Sequence, residues 1–87
     1  MSSGTQATRL QGILLSRKPL YRERGLSKLI FYLIVTGRKY EIHAEGALAE
    51  LMQSTKIGDR MTVLGYAKRQ GWQASATTTT AVDILIG

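Results

Sequence analysis

The sequence predicts an all-β fold with one short helix, a small sheet rolled into a barrel, and three observations predict it. Arg9–Ser16, Leu29–Val35, Tyr40–Ala44 and Met61–Tyr66 read as strands whose side chains fall on two different faces at the two-residue period. Glycine stands inside two of these strands, at Gly12 and Gly65. Lacking a Cβ, it lets the backbone kink or lets another backbone come close, which is how a small sheet bends and closes. Finally, Lys56–Tyr66, KIGDRMTVLGY, sets a Gly-Asp turn between a short helical run and the bent strand. Helix, turn and bent strand in that order suggest a five-stranded Greek-key barrel of the OB type, with the helix plugging one end between strands three and four.

Met1–Thr8 is small, polar and without period, so residues 1–8 are expected to be a flexible leader and residues 9–87 the OB-fold domain. In the first strand, Arg9–Ser16, Leu10, Gly12 and Leu14 take one side and Gln11, Ile13 and Leu15 the other. From Arg17 to Lys28, RKPLYRERGLSK, the alternation stops, and Pro19 and Gly25 mark a loop. Leu29–Val35, LIFYLIV, follows as the strongest strand, rich in β-branched and aromatic residues. Leu29, Phe31, Leu33 and Val35 are expected in the core, with Ile30, Tyr32 and Ile34 outside. An outer face that apolar serves as a subunit interface or a stacking platform.

Thr36–Lys39 is a glycine turn leading into a third strand, Tyr40–Ala44, with Tyr40, Ile42 and Ala44 on one side and Glu41 and His43 on the other. Ala47–Thr55 reads as a short helix whose Leu48, Leu51 and Met52 close the bottom of the barrel. After the central strand, Ala67–Trp72 is expected as a loop or hairpin. Ala74–Thr80 is threonine-rich and polar on both faces, either a strand with an open edge or a loop arm. Ala81–Ile86 ends the barrel, with Val82, Ile84 and Ile86 inward.

Eighty-seven residues make one small domain, which buries only roughly 60% of the surface of its unfolded chain and leaves little room for an elaborate catalytic cleft. Lysine and arginine number 12 against 6 acidic residues, a net charge of +6. An acidic polymer is the natural partner for such an excess. There is no cysteine, hence neither a disulfide nor a thiolate metal site, as fits a reducing interior. The longest apolar run, Leu29–Val35, is too short for a membrane helix, and no signal peptide is recognisable. A cytoplasmic, nucleoid-associated protein without membrane contact is expected.

The candidate nucleic-acid-binding residues lie in three basic segments. Arg17, Lys18, Tyr21, Arg22, Arg24 and Lys28 form the first, Arg38 and Lys39 the second, and Lys68, Arg69 and Trp72 the third, with Tyr32 on the outer face of the second strand. Cations of one sign beside aromatic rings track a phosphate backbone and offer unpaired bases a stacking surface. The same arginines also suit a solvated hairpin tip that keeps a sheet edge from pairing. Tyr40 and Tyr66 are further stacking candidates, with core or interface packing as the other reading of each. His43, the single histidine, has no second histidine or paired carboxylate near it in sequence, and the glycines match no phosphate-cradling loop. No catalytic residue, cofactor or metal is expected.

The segment RLQGILLSRKPLYRERGLSKLIFYLIV resembles the opening of bacterial single-stranded DNA-binding proteins and of their dimeric relative, the primosomal replication protein of the PriB type. AEGALAELMQSTKIGDRMTVLGYAKRQGW is similar to the family's helix, Gly-Asp turn, bent strand and following Trp, and AVDILI to its last strand. The family's acidic C-terminal tail has no counterpart here, and Thr36–Lys39 is shorter than the family's loop, which points to a minimal, PriB-like binding domain. The resemblance implies non-sequence-specific single-stranded DNA binding in replication, restart or recombination, as a homodimer or homotetramer, with replication helicase or primosome proteins as partners. It also implies that the outer barrel face makes the subunit contact, which would occupy Ile30 and Ile34. An interaction adaptor for a replication or mobile-element complex and a single-stranded RNA binder are the alternatives. If about six of the cations meet phosphates, log affinity falls against log salt with a slope of roughly −4.

Overall fold

The computed structural model describes residues 5–69 and 77–87. Its elements are β1 (Thr5–Arg22), β2 (Gly25–Val35), β3 (Arg38–Glu45), α1 (Ala47–Gln53), β4 (Arg60–Arg69) and β5 (Thr77–Ile86). The strands close into a barrel in the order β1-β2-β3-β5-β4, with β3 and β5 parallel and every other pair antiparallel. This is the helix-stoppered OB-fold barrel that the sequence predicts.

Alternation decides what lies inside. Leu10 and Leu14 of β1, Leu29, Phe31 and Leu33 of β2, Ile42 and Ala44 of β3, Met61 and Val63 of β4 and Ile84 of β5 are buried together, and Val35 and Tyr40 pack against them. Ala49 and Met52 of α1 complete the core, while α1 packs against β2, β3 and β5. Leu51, expected to join them, is instead exposed. The buried arc of the helix lies between Met52 and Ala49, and Leu51 falls roughly 130° round from its middle, outside the arc.

β1 takes part in two ladders of the closed sheet. Its first part pairs with β4 as far as Ile13 opposite Arg60, and the turn at Ile57–Asp59 then clasps Leu14: Gly58 N–H donates to Leu14 O at 2.8 Å and Leu14 N–H to Asp59 O at 2.9 Å. A register slip between Leu14 and Ser16 next turns the strand toward β2. The segment expected as a loop, Arg17–Lys28, is therefore mostly strand, with β1 and β2 running through it to a tight turn at Glu23–Arg24. Pro19 is tolerated because β1 has lost its β4 neighbour there, so no second ladder needs its missing N–H.

Strands elsewhere are also longer than their apolar cores. β1 begins at Thr5, within the stretch expected as a leader, and pairs there with Lys68. Arg38 and Lys39 belong to β3, not to the turn, which narrows to Thr36 and Gly37, both at positive φ as a two-residue hairpin turn requires. Ala67, Lys68 and Arg69 continue β4, and Thr77–Thr80 continue β5, so the threonine run is strand. Within β5, only Ile84 of the three residues expected inward is buried. A bulge sets Leu64 opposite Asp83 but Gly65 opposite Ala81, leaving Val82 as the extra, exposed residue, and Ile86 lies at the open strand end.

Candidate nucleic-acid interface

Partners in an antiparallel ladder point to the same side, so the register defines the outer face centred on β2 and β3. Ser16, Tyr32 and Glu41 form one row across it; Lys18, Ile30 and His43 form the next. Leu20, Lys28 and Glu45 make a third row, and Ile34 and Lys39 flank Tyr32 on the other side. Ile30, Tyr32 and Ile34 are half-buried here, as the alternation of LIFYLIV predicts for an outer face.

A chain of polar contacts runs through these rows. Lys28 Nζ stands 3.3 Å from His43 Nδ1, and His43 Nε2 stands 2.6 Å from Glu41 Oε2. An ammonium can only donate, so Nδ1 accepts from Lys28 and the imidazole donates its Nε2–H to Glu41. The Tyr32 phenol donates to the other carboxylate oxygen, Oε1, at 3.4 Å, and Lys39 Nζ lies 5.2 Å from the centroid of the Tyr32 ring, within cation–π range. The Glu41 charge, with burial and this hydrogen bond adding to it, holds the Tyr32 phenol above its ordinary pKa, so it keeps its proton at neutral pH. Tyr32 is thereby held at its hydroxyl and accompanied at its ring by a movable cation.

Of the candidates from the sequence, Lys18, Lys28, Tyr32 and Lys39 meet on this face, and Arg22 lies at its edge in a depression lined also by Leu20, Tyr21, Ser27, Lys28 and Glu45. Arg24 sits at the exposed tip of the β1–β2 turn. Arg17 and Tyr21 take the opposite side of the ribbon, lining a depression with Pro19, Gln53 and Ile57, and the Tyr21 hydroxyl accepts a 2.8 Å hydrogen bond from Gln53 Nε2. Arg38 is exposed beside the β2–β3 turn with the parity of core residues, and Tyr40 packs against the core. Lys68 and Tyr66 are exposed on β4, with β5 between them and β3. The backbone of Arg69 ends β4; Trp72 lies outside the described residues.

Sequence reasoning set Glu41 and His43 on one side of the third strand but did not count them among the site residues. Their i, i+2 spacing on a strand was the available signal, since it sets both side chains on one side within reach of each other. Among the described residues, no group of three or more His, Cys, Asp or Glu side chains is gathered as a metal would require, and no helix is long and apolar enough to cross a membrane.

No protein-family model matches the sequence, and no curated protein matches it. Solved structures do match in fold. The small single-stranded DNA-binding protein from Streptomyces coelicolor is 20% identical with a TM-score of 0.75, over 94% of this chain and 92% of that one. The PriB protein from Ralstonia solanacearum is 14% identical with a TM-score of 0.75, over 93% of this chain and 97% of that one. The single-stranded DNA-binding protein from Thermus aquaticus is 24% identical with a TM-score of 0.76, but this chain spans only 39% of its length. At such identities the likeness is one of fold: the chain has an SSB-like barrel in a PriB-like, single-barrel form.

Proposed function

We propose that this protein binds single-stranded DNA without strong sequence preference, as an oligomer, in DNA replication, replication restart or recombination. The observation that carries this reading is the β2–β3 face, where an aromatic ring stands among Lys18, Lys28 and Lys39 on the surface that OB folds use for oligonucleotides. The barrel likeness to proteins described as single-stranded DNA-binding supports it. Binding here is physical rather than catalytic. Lysine ammonium groups displace counterions from phosphates, and an unpaired base stacks on Tyr32, for which Lys39 swings from the ring toward the backbone. Arg22 at the end of β1 and Arg24 in the turn after it extend the cationic track. A cytoplasmic, nucleoid-associated location and helicase or primosome partners belong to the same reading.

Four cations, Lys18, Arg22, Lys28 and Lys39, stand on or beside the face. Titration of a labelled oligonucleotide at several salt concentrations should give a log–log slope of about −3, shallower than a count of all the basic segments predicts. A flat salt response, or duplex bound as tightly as single strand, would sink the reading.

The subunit contact is assigned to a different face from the one containing Ile30 and Ile34. Leu85 is 57% and Tyr66 50% exposed on the outer side of β5 and β4, with the half-buried Leu64 between them, beside Arg9 and Asp83. A second copy covering Leu85, Leu64 and Tyr66 removes these three side chains from water and leaves the β2–β3 face open. Sedimentation should report a dimer or tetramer that Leu85→Glu reduces to monomer without unfolding; a monomeric parent protein would refute the assignment.

A further inference from the structure

We infer that Glu41 biases this face toward bases carrying an exocyclic amino group, and against thymine. The inference rests on the proposed stacking of an unpaired base on Tyr32. Tyr32 and Glu41 are direct cross-strand partners on the outer face, and the Tyr32 hydroxyl touches Glu41 Oε1 at 3.4 Å. A base lying on that ring with an edge toward β3 therefore meets the carboxylate.

The side chain of Glu41 is 37% exposed, so a ligand reaches it. A carboxylate has about four acceptor sites and no donor. His43 occupies one site on Oε2 at 2.6 Å and Tyr32 one on Oε1, which leaves acceptor capacity free on both oxygens. Cytosine presents its N4 amino hydrogens to such a group, and adenine and guanine have amino groups of their own. Thymine is the base without one: its single ring donor, N3–H, lies between two carbonyl oxygens, so a carboxylate that accepts from it is set against at least one of them, acceptor against acceptor.

The neighbouring contacts hold the selector in place. His43 donates to Glu41 while accepting from Lys28 at 3.3 Å, so the carboxylate is restrained by a ring that is itself restrained. This chain crosses from β2 to β3 and ends beneath the candidate stacking position. A carboxylate in the middle of a face built for phosphates repels a polyanion, and base recognition gives that charge a use.

The test compares oligo-dC with oligo-dT of about 15 nucleotides, a pair of equal ring size, by fluorescence anisotropy at mildly alkaline pH, where cytosine tracts stay unpaired. The parent protein should bind oligo-dC about fivefold more tightly than oligo-dT. Glu41→Gln should raise affinity for both, because a negative charge is lost, and bring their ratio close to one, because an amide offers thymine a donor. Equal affinities in the parent protein, or an unchanged ratio in Glu41→Gln, would overturn the inference while leaving single-stranded DNA binding intact. Binding of neither oligomer would overturn the proposed function, and this inference with it. Circular dichroism of Glu41→Gln confirms that the barrel is folded when the ratio is read.

Discussion

Gly65→Ala is expected to destabilise the barrel by about 3 kcal/mol, the high end of what an added methyl group costs in a closely packed interior. A Cβ at Gly65 would overlap the carbonyl oxygen of Thr80 and stand 2.9 Å from its carbonyl carbon and 3.1 Å from the Ala81 Cα. All three are backbone atoms, so no rotamer change relieves the clash. β4 and β5 must part at the bulge between Leu64 and Gly65, where the sheet turns its corner. A domain of this size has roughly 4 to 13 kcal/mol of stability in total. The loss should therefore appear as a fall of roughly 15 °C in the midpoint of a thermal melt. Gly12 is similarly confined, by the Ile34 carbonyl and by Val35 Cγ2 at 2.8 Å. Gly37 differs in kind: a Cβ there meets nothing within 4 Å, and its φ of 80° alone makes alanine unfavourable, by about 1 kcal/mol. A Gly65→Ala protein that melts no lower than Gly37→Ala would show that the strands yield freely and that Gly65 does not set the corner.

The same corner explains which parts of the fold were legible. LIFYLIV and MTVLGY each have one face in the core, so alternation reveals strand, inner face and, through the glycine, the bend. Arg17–Lys28 has no such signal. Beyond Ile13 the β1 strand has no β4 neighbour, and a ribbon of two strands with its tip in water carries arginine and lysine as comfortably as a loop does. Thr77–Thr80 lack apolar alternation too, and their place is set by pairing to β3 and β4, a tertiary fact. Val82 was misassigned because a bulge adds one residue and shifts the period, which the residue types do not record.

Adjacency in sequence also misled the site. Arg17 and Lys18 are neighbours in the chain but on opposite sides of the ribbon, and Tyr21 follows Arg17 toward α1. Lys28, His43, Glu41, Tyr32 and Lys39 come from two strands and meet only through the register between them. Half of that meeting was readable, because Glu41 and His43 are two apart in one strand. The other half required knowing that Tyr32 pairs with Glu41.

Tyr32→Ala should weaken single-stranded DNA binding by about 1–3 kcal/mol, a loss of roughly 5- to 150-fold, while Tyr21→Ala leaves it nearly unchanged. Both rings are candidates from the sequence, Tyr21 among basic residues and Tyr32 on the outer face of an apolar strand. The structure separates them: Tyr32 stands on the outer face with Lys39 over its ring, whereas the Tyr21 hydroxyl bonds Gln53 on the α1 side. Neither substitution should unfold the barrel, because Tyr32 is half-buried on the outside and Tyr21 is 62% exposed. Tyr32→Phe sharpens the test. It keeps the stacking surface but drops the bond to Glu41, so it should retain most of the affinity if the ring is what a base contacts. If Tyr21→Ala instead caused the larger loss, the strand would run past the β1–β2 ribbon toward α1, and the cations that matter would be Arg17 and its neighbours rather than the lysines around Tyr32.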